Sequence, residues 1–181
     1  ESYLKNGSKP EVTEVSDFLK EERGVFVTLK NKGSLRGCIG RPLPTQPLLD
    51  GLMASAVNAA TGDPRFPPLQ EDELRDVTLE VSILTVPESI ECEDPENIPE
   101  NVKVGRDGLV VKCGGREGLL LPQVPLDKDW DAEDFLSQTC VKAGLSPERW
   151  VDGDTEIQKF SAQVFKEVEP EGEIVEEEME D

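Results

Sequence analysis

Leu35-Arg36-Gly37-Cys38-Ile39-Gly40 sets a cation, a thiol and two glycines within one short stretch. It follows an apolar run, Val25 to Leu29, across Asn31-Lys32-Gly33-Ser34. That pattern predicts a hairpin with the stretch as its second strand. Side chains alternate along a strand, so Arg36, Cys38 and Gly40 share one face and Leu35, Gly37 and Ile39 the other. Arg36 and Cys38 then stand roughly 7 Å apart on the same side. A cation beside a cysteine favours the thiolate, the nucleophilic form. Glycines leave space for a ligand to approach the backbone. Cys38 is thus the candidate catalytic nucleophile of a cleft around Arg36-Gly37-Cys38-Ile39-Gly40. Arg36, Gly37 and Gly40 are candidate contacts to a small anionic or peptide ligand. The alternative is structural: cysteine often behaves as a small core hydrophobe, and strand glycines also mark bulges and tight packing.

Asp63-Pro64-Arg65-Phe66-Pro67-Pro68 is the second stretch with chemical content. Its three prolines fix φ and remove donors, so it is a rigid loop. Such a loop can hold Asp63 and Arg65 in place as ligand contacts, and a planar guanidinium suits carboxylate or phosphate. Alternatively, Arg65 pairs with an internal carboxylate and Phe66 enters the core.

The chain has no histidine. Ser-His-Asp and Cys-His machinery, histidine-ligated metals and a histidine base are therefore excluded within it. The four cysteines, Cys38, Cys92, Cys113 and Cys140, form no Cys-x-x-Cys pair, so zinc-ribbon and ferredoxin signatures are missing. Neither a dinucleotide fingerprint nor a Walker motif occurs. No metal and no cofactor is expected.

These residues need elements to hold them. A helix end with a glycine stop is expected at Tyr3 to Gly7, and a short helical turn at Ser16 to Leu19. After the hairpin, Pro47 opens a helix with Leu48, Leu49, Leu52, Met53, Ala56, Val57 and Ala60 at helical spacing, stopped by Gly62. Val77, Leu79, Val81 and Ile83 alternate as a strand. An acidic, proline-punctuated connection leads to a second half: strands at 102–104, 109–113 and 119–121, then a helix capped by Asp131 with Trp130 and Phe135 as a hydrophobic staple. Gly144 ends that helix, and Phe160 to Val168 suggests a last strand. Each half reads as hairpin, proline loop, helix, strand, which implies an α+β domain with mostly antiparallel strands. Gly40 to Pro42 and Pro122-Gln123 fall at equivalent strand ends, so Gln123 joins the candidate ligand contacts.

The 181 residues predict one domain, residues 1–168, with halves at about 8–86 and 99–168 and an acidic tail at 169–181. Nineteen basic and 39 acidic residues give a net charge of −20. Nucleic-acid and anionic-membrane binding need basic patches, so neither is expected. The tail is expected to be solvated and disordered. No apolar run is long enough to span a membrane, and no signal peptide is visible. Sparse cysteines point to a reducing cytoplasm. The opening Glu1-Ser2-Tyr3-Leu4 lacks Met, which leaves room for a piece ahead of it.

The segments Leu35 to Gly40, Asp63 to Pro68, Val104 to Leu109, Leu119 to Val124 and Thr139 to Gly144, in that order, resemble the AMMECR family (AmmeMemoRadiSam system protein A-like) from about Tyr3 to Val168. The resemblance implies an archaeal or bacterial cytosolic member, an archaeal one foremost. It implies a duplicated α+β domain around one barrel-like sheet with flanking helices, and association with Memo-type and radical-SAM proteins. No established reaction comes with it. Arg36, Gly37, Cys38 and Gly40 inherit its suspected site. Two readings follow: an enzyme or enzyme component using Cys38, or a non-catalytic interaction module. The oligomeric state is left open by the residues.

Overall fold

The computed structural model describes residues 1–177. It contains two units, Glu1–Thr85 with residues 162–177, and Val86–Ser161. In the first unit, a short helix α1 (Ser2–Asn6) ends at Gly7 and α2 (Asp17–Lys20) precedes the hairpin of β1 (Val25–Asn31) and β2 (Ser34–Arg41). Val25, Val27 and Leu29 alternate inward along β1. Helix α3 (Leu48–Thr61) follows Pro47 and turns Leu48, Gly51, Ser55 and Ala59 into the interior, against β1 and β2. Strand β3 (Val77–Leu84) then pairs with β1, placing Leu79 opposite Leu29 and Val81 opposite Val27. Val27, Leu29, Ala59, Leu69 and Val77 form the core here, with Val25, Leu48 and Ile83 beside it.

The second unit repeats the plan. After a two-residue strand β4 (Glu88–Ser89), β5 (Gly108–Cys113) and β6 (Arg116–Leu120) form a hairpin. Helix α4 (Ala132–Lys142) packs on β6 and β5, and β7 (Glu156–Phe160) pairs with β5. Asp131 caps α4 by accepting the Asp134 N–H at 2.9 Å. Phe135 is fully buried, and Trp130 packs on the same cluster. Leu109, Val111, Leu136, Cys140, Trp150 and Ile157 complete that core.

The last strands are β8 (Ala162–Glu167) and β9 (Ile174–Glu177). They belong to the first sheet, whose order is β2-β1-β3-β8-β9; the second is β4-β7-β5-β6. The α+β class, the antiparallel pairing and the repeated plan agree with the sequence reading. Within each repeat the third strand pairs with the first strand of its hairpin, giving β2-β1-β3 and β6-β5-β7. The strands form two sheets, however, and no closed barrel exists among the described residues. The strand expected at the end of the second half divides at Ser161: β7 stays with β5 and β8 pairs with β3.

The acidic tail is also partly ordered. A turn at Glu169 to Gly172 lets β9 return along β8, with Ile174 and Val175 supplying strand-forming side chains and Glu177 pairing with Lys166 at 2.6 Å. Residues 178–181 of that tail lie outside the described residues.

Candidate functional site

The hairpin places β2 at the edge of its sheet, with Cys38 opposite Thr28 and Gly40 opposite Phe26. An edge strand presents backbone N–H and C=O groups that need partners. At Cys38 the proline loop supplies them. Asp63 Oδ2 accepts the Cys38 N–H at 2.9 Å, and Arg65 Nη2 donates to the Cys38 carbonyl at 3.2 Å. The two side chains thus stand where a neighbouring strand would.

Asp63 is itself buried. Its carboxylate also accepts the Arg65 N–H and Nε at 3.0 Å and Nη2 at 2.7 Å. The Arg65 guanidinium holds the Asp63 carboxyl well below the usual carboxylate range; burial opposes this, and the N–H groups of Cys38 and Arg65 support it. Arg65 remains 54 % exposed and lies over the Phe66 ring. The internal pairing considered for Arg65 is therefore present. Phe66 is only half-buried, and Leu69 takes the fully buried place in the core.

Arg36 is engaged as fully. Its Nε and Nη2 form a two-pronged pair with Glu73 at 2.8 and 2.9 Å, and Nη1 donates to the Pro67 carbonyl at 2.9 Å. Glu73 also accepts the Gln70 N–H at the start of a 3-10 turn, Glu71–Asp76. Glu73 is held below its ordinary value first by Arg36, and Arg36 is raised by Glu73. Only 12 % of the Arg36 side chain is exposed.

The open space expected at the glycines is filled. A Cβ on Gly37 would lie 2.1 Å from the Ala59 carbonyl oxygen, so the bare backbone lets α3 seat on β2. A Cβ on Gly40 would lie 2.3 Å from the Phe26 ring, which folds across from the paired strand. The half-buried Cys38 Sγ accepts a hydrogen bond from the Thr28 hydroxyl at 3.3 Å. The guanidinium that reaches Cys38 is that of Arg65, since the Arg36 fork is directed to Glu73 and Pro67. Gln123 is exposed in the turn after β6, in the second unit.

Glu73 escaped the sequence reading, although Gln70-Glu-Asp-Glu73 has the spacing of a capping box. So did an arginine–thiol contact in the second unit, Arg149 Nη2 to Cys113 Sγ at 3.4 Å. That thiol, followed by Asp152, raises Arg149. Cys140 is fully buried, and burial pushes its thiol up to about 11. Among the described residues no group of three or more His, Cys, Asp or Glu could hold a metal ion. No helix there is long and apolar enough to cross a membrane.

An apolar groove of about 520 Å³ also belongs to the first unit. Leu52, Met53, Ala56 and Ala60 of α3 form one wall, with Leu29 and Leu79 on the sheet side. Glu167, Glu171 and Lys9 stand at its margin. Periodicity marked the α3 residues as a buried face, and it did not show that one side of that face lines a groove.

The AMMECR1 family model matches residues 1–165. The chain belongs to the AMMECR1 family. A protein from Methanothermobacter thermautotrophicus is 53 % identical over 154 residues, covering 85 % of this chain and 80 % of its own. One from Thermococcus onnurineus is 50 % identical over 180 residues, covering 96 % and 87 %. The crystal structure of the uncharacterized protein PH0010 from Pyrococcus horikoshii is similar, with a TM-score of 0.78 and 47 % identity over 97 % of this chain and 89 % of that one. The family expected from the five segments is therefore established, and its relatives here are archaeal.

Proposed function

We propose that this AMMECR1-family chain is a non-catalytic binding module. The carrying observation is that Arg36, Glu73, Asp63 and Arg65 answer one another's charge around β2, while among the described residues no side chain fills the apolar groove beside α3. On this reading the Arg36 to Gly40 segment is a structural fastening and the groove is the contact surface. The Memo-type and radical-SAM partners implied by the resemblance, and a cytoplasmic setting, belong to this proposal: such partners would bring the chemistry and this chain the docking surface. A neutral apolar dye, Nile red, tests the groove. It should bind saturably, bind about tenfold more weakly to Ala56→Trp, and bind unchanged to Cys38→Ser. Equal binding to Ala56→Trp would remove the groove from the proposal.

One observation favours a second reading, thiol chemistry at Cys38. The Arg65 guanidinium lies on the Cys38 carbonyl and the Thr28 hydroxyl on its sulfur. Alkylation of single-cysteine variants separates the two readings. The binding-module reading expects Cys38 to react no faster than Cys113. A Cys38 that reacts at least about tenfold faster, and slows in Arg65→Ala, would instead make it a chemical site.

A further inference from the structure

In the second unit the chain leaves the sheet just after β4. The Ile90 N–H still donates to the Ile157 carbonyl at 2.9 Å, and Ile90 and Cys92 pack against the core of that unit. Glu91 and Glu93 alternate with them and are exposed. Asn101 Nδ2 donates to Cys92 Sγ at 3.2 Å, which ties this stretch to the 3-10 turn Pro95–Asn101. A second fixed segment stands across from it. There the Thr155 N–H donates to the Asp152 carbonyl at 3.0 Å, and the Thr155 hydroxyl to the Arg149 carbonyl at 2.8 Å. Between the two segments lies a cleft of about 550 Å³, lined only by residues from 90 to 155 and so contained in the second unit. Ile98 and Trp150, both buried, form its apolar floor. The Trp150 ring is held by its Nε1–H, which donates to Ser137 Oγ at 3.2 Å.

The rim is acidic on both sides, with Glu91 and Glu93 on one and Asp152 on the other, and no lysine or arginine lines the cleft. Cations close by in sequence are committed elsewhere. Arg149 pairs with Asp152 at 2.5 Å and Asp154 at 2.6 Å, and Lys159 donates to the Asn101 carbonyl at 3.0 Å. Glu91 and Glu93 have no ion-pair partner among the described residues. The charges around β2 are matched within the first unit, and these two are not. We infer that this cleft takes a lysine-bearing segment of a partner protein. A lysine lays its four-carbon stem along Ile98 and Trp150 while its ammonium stays at the wet rim among the three carboxylates. The volume lies within the roughly 300–1,000 Å³ of binding clefts, and the acidic rim supplies the charge complementarity that selects a basic partner. This contact does not use the α3 groove, so the two surfaces stand or fall separately.

Trp130 and Trp150 are the two tryptophans of the chain, so Trp130→Phe leaves Trp150 as a reporter at the floor of the cleft. The probe is a capped Lys-Leu-Lys peptide titrated into the full chain, with a Glu-Leu-Glu peptide and spermidine as controls. The lysine peptide should change the Trp150 emission saturably, and the glutamate peptide should not. Its affinity should fall about three- to tenfold in Glu91→Gln/Glu93→Gln. Gly153→Lys should weaken it likewise, because a side chain there meets nothing within 4 Å and places a competing ammonium at the rim. Glu11→Gln/Glu14→Gln makes the same change of charge at exposed positions of the first unit and should leave binding unchanged. An equal loss in that distant variant would show mere attraction to an acidic chain and overturn the inference. Spermidine binding as tightly as the peptide would make the cleft a small-cation site and overturn the partner segment. The absence of a saturable change in emission would also overturn it. Nile red binding at the α3 groove is expected to be the same in every one of these variants, so the binding-module reading is judged independently.

Discussion

At the scale of single residues, Asp63 carries the most structural responsibility for its size. It closes the Cys38 backbone and orients Arg65. A carboxyl with a folded pKa below its unfolded value stabilises fully above about pH 4, and that contribution is lost as pH falls toward and through the folded value. Asp63 is shifted in that direction. Wild type should therefore lose stability on acidification below about pH 4 more steeply than Asp63→Asn, measured by urea midpoints from pH 7 to pH 2.5. At pH 7 the Asn variant should be less stable by about 1–3 kcal/mol, the range for a weakened buried hydrogen-bonding group. Parallel pH curves for the two proteins would show that Asp63 does not set the acid response.

At the scale of elements, the repeated glycine contact is the most specific device. Gly37 on β2 meets Ala59 of α3. Gly118 on β6 likewise meets α4, where an added Cβ would lie 2.4 Å from the Ala143 nitrogen and 2.8 Å from the Thr139 oxygen. In both repeats the outer strand of the hairpin omits a side chain so that the helix can approach. Gly37→Ala and Gly118→Ala should each cost about 1–3 kcal/mol or more, because backbone must move. Gly153→Ala, where a Cβ meets nothing within 4 Å, should leave the denaturation midpoint nearly unchanged. Equal midpoints for all three variants would refute the close-approach account. Elements of this kind were largely legible. The Asp131 cap, the Trp130 and Phe135 staple and the β3 alternation depend on neighbours in sequence. What was not legible depends on distant ones. Arg36 meets a carboxylate 37 residues away, and no local pattern says whether an arginine faces a ligand or a fold partner. The Gly37 and Gly40 vacancies were misread for the same reason, since Ala59 and the Phe26 ring come from elsewhere. The β8 strand pattern was visible, but not which sheet would receive it.

At the scale of the whole molecule, charge is the dominant property. A net −20 chain repels itself in its compact form, whereas the exposed ion pairs between its side chains contribute little each. Added sodium chloride should therefore raise the thermal midpoint, by roughly 2–4 °C for each kcal/mol of relieved repulsion. Calorimetry from low salt to about 1 M tests this, where Debye screening is nearly complete. A falling midpoint would mean that the ion pairs, Arg36–Glu73 foremost, outweigh the repulsion.

The return of β8 to the first sheet has a consequence for biosynthesis. The chain leaves the ribosome with β1, β2 and β3 early, but their sheet lacks β8 until Val86–Ser161 has been made. Through that interval β3 is an unpaired edge with its N–H and C=O groups open to other chains. At roughly 5–20 residues per second the wait is some seconds, long beside the microseconds in which a hairpin forms. The second unit, whose strands are contiguous in translation, can close first. The nascent molecule is therefore most vulnerable to misassociation along β3, and it becomes safe only when β8 is delivered.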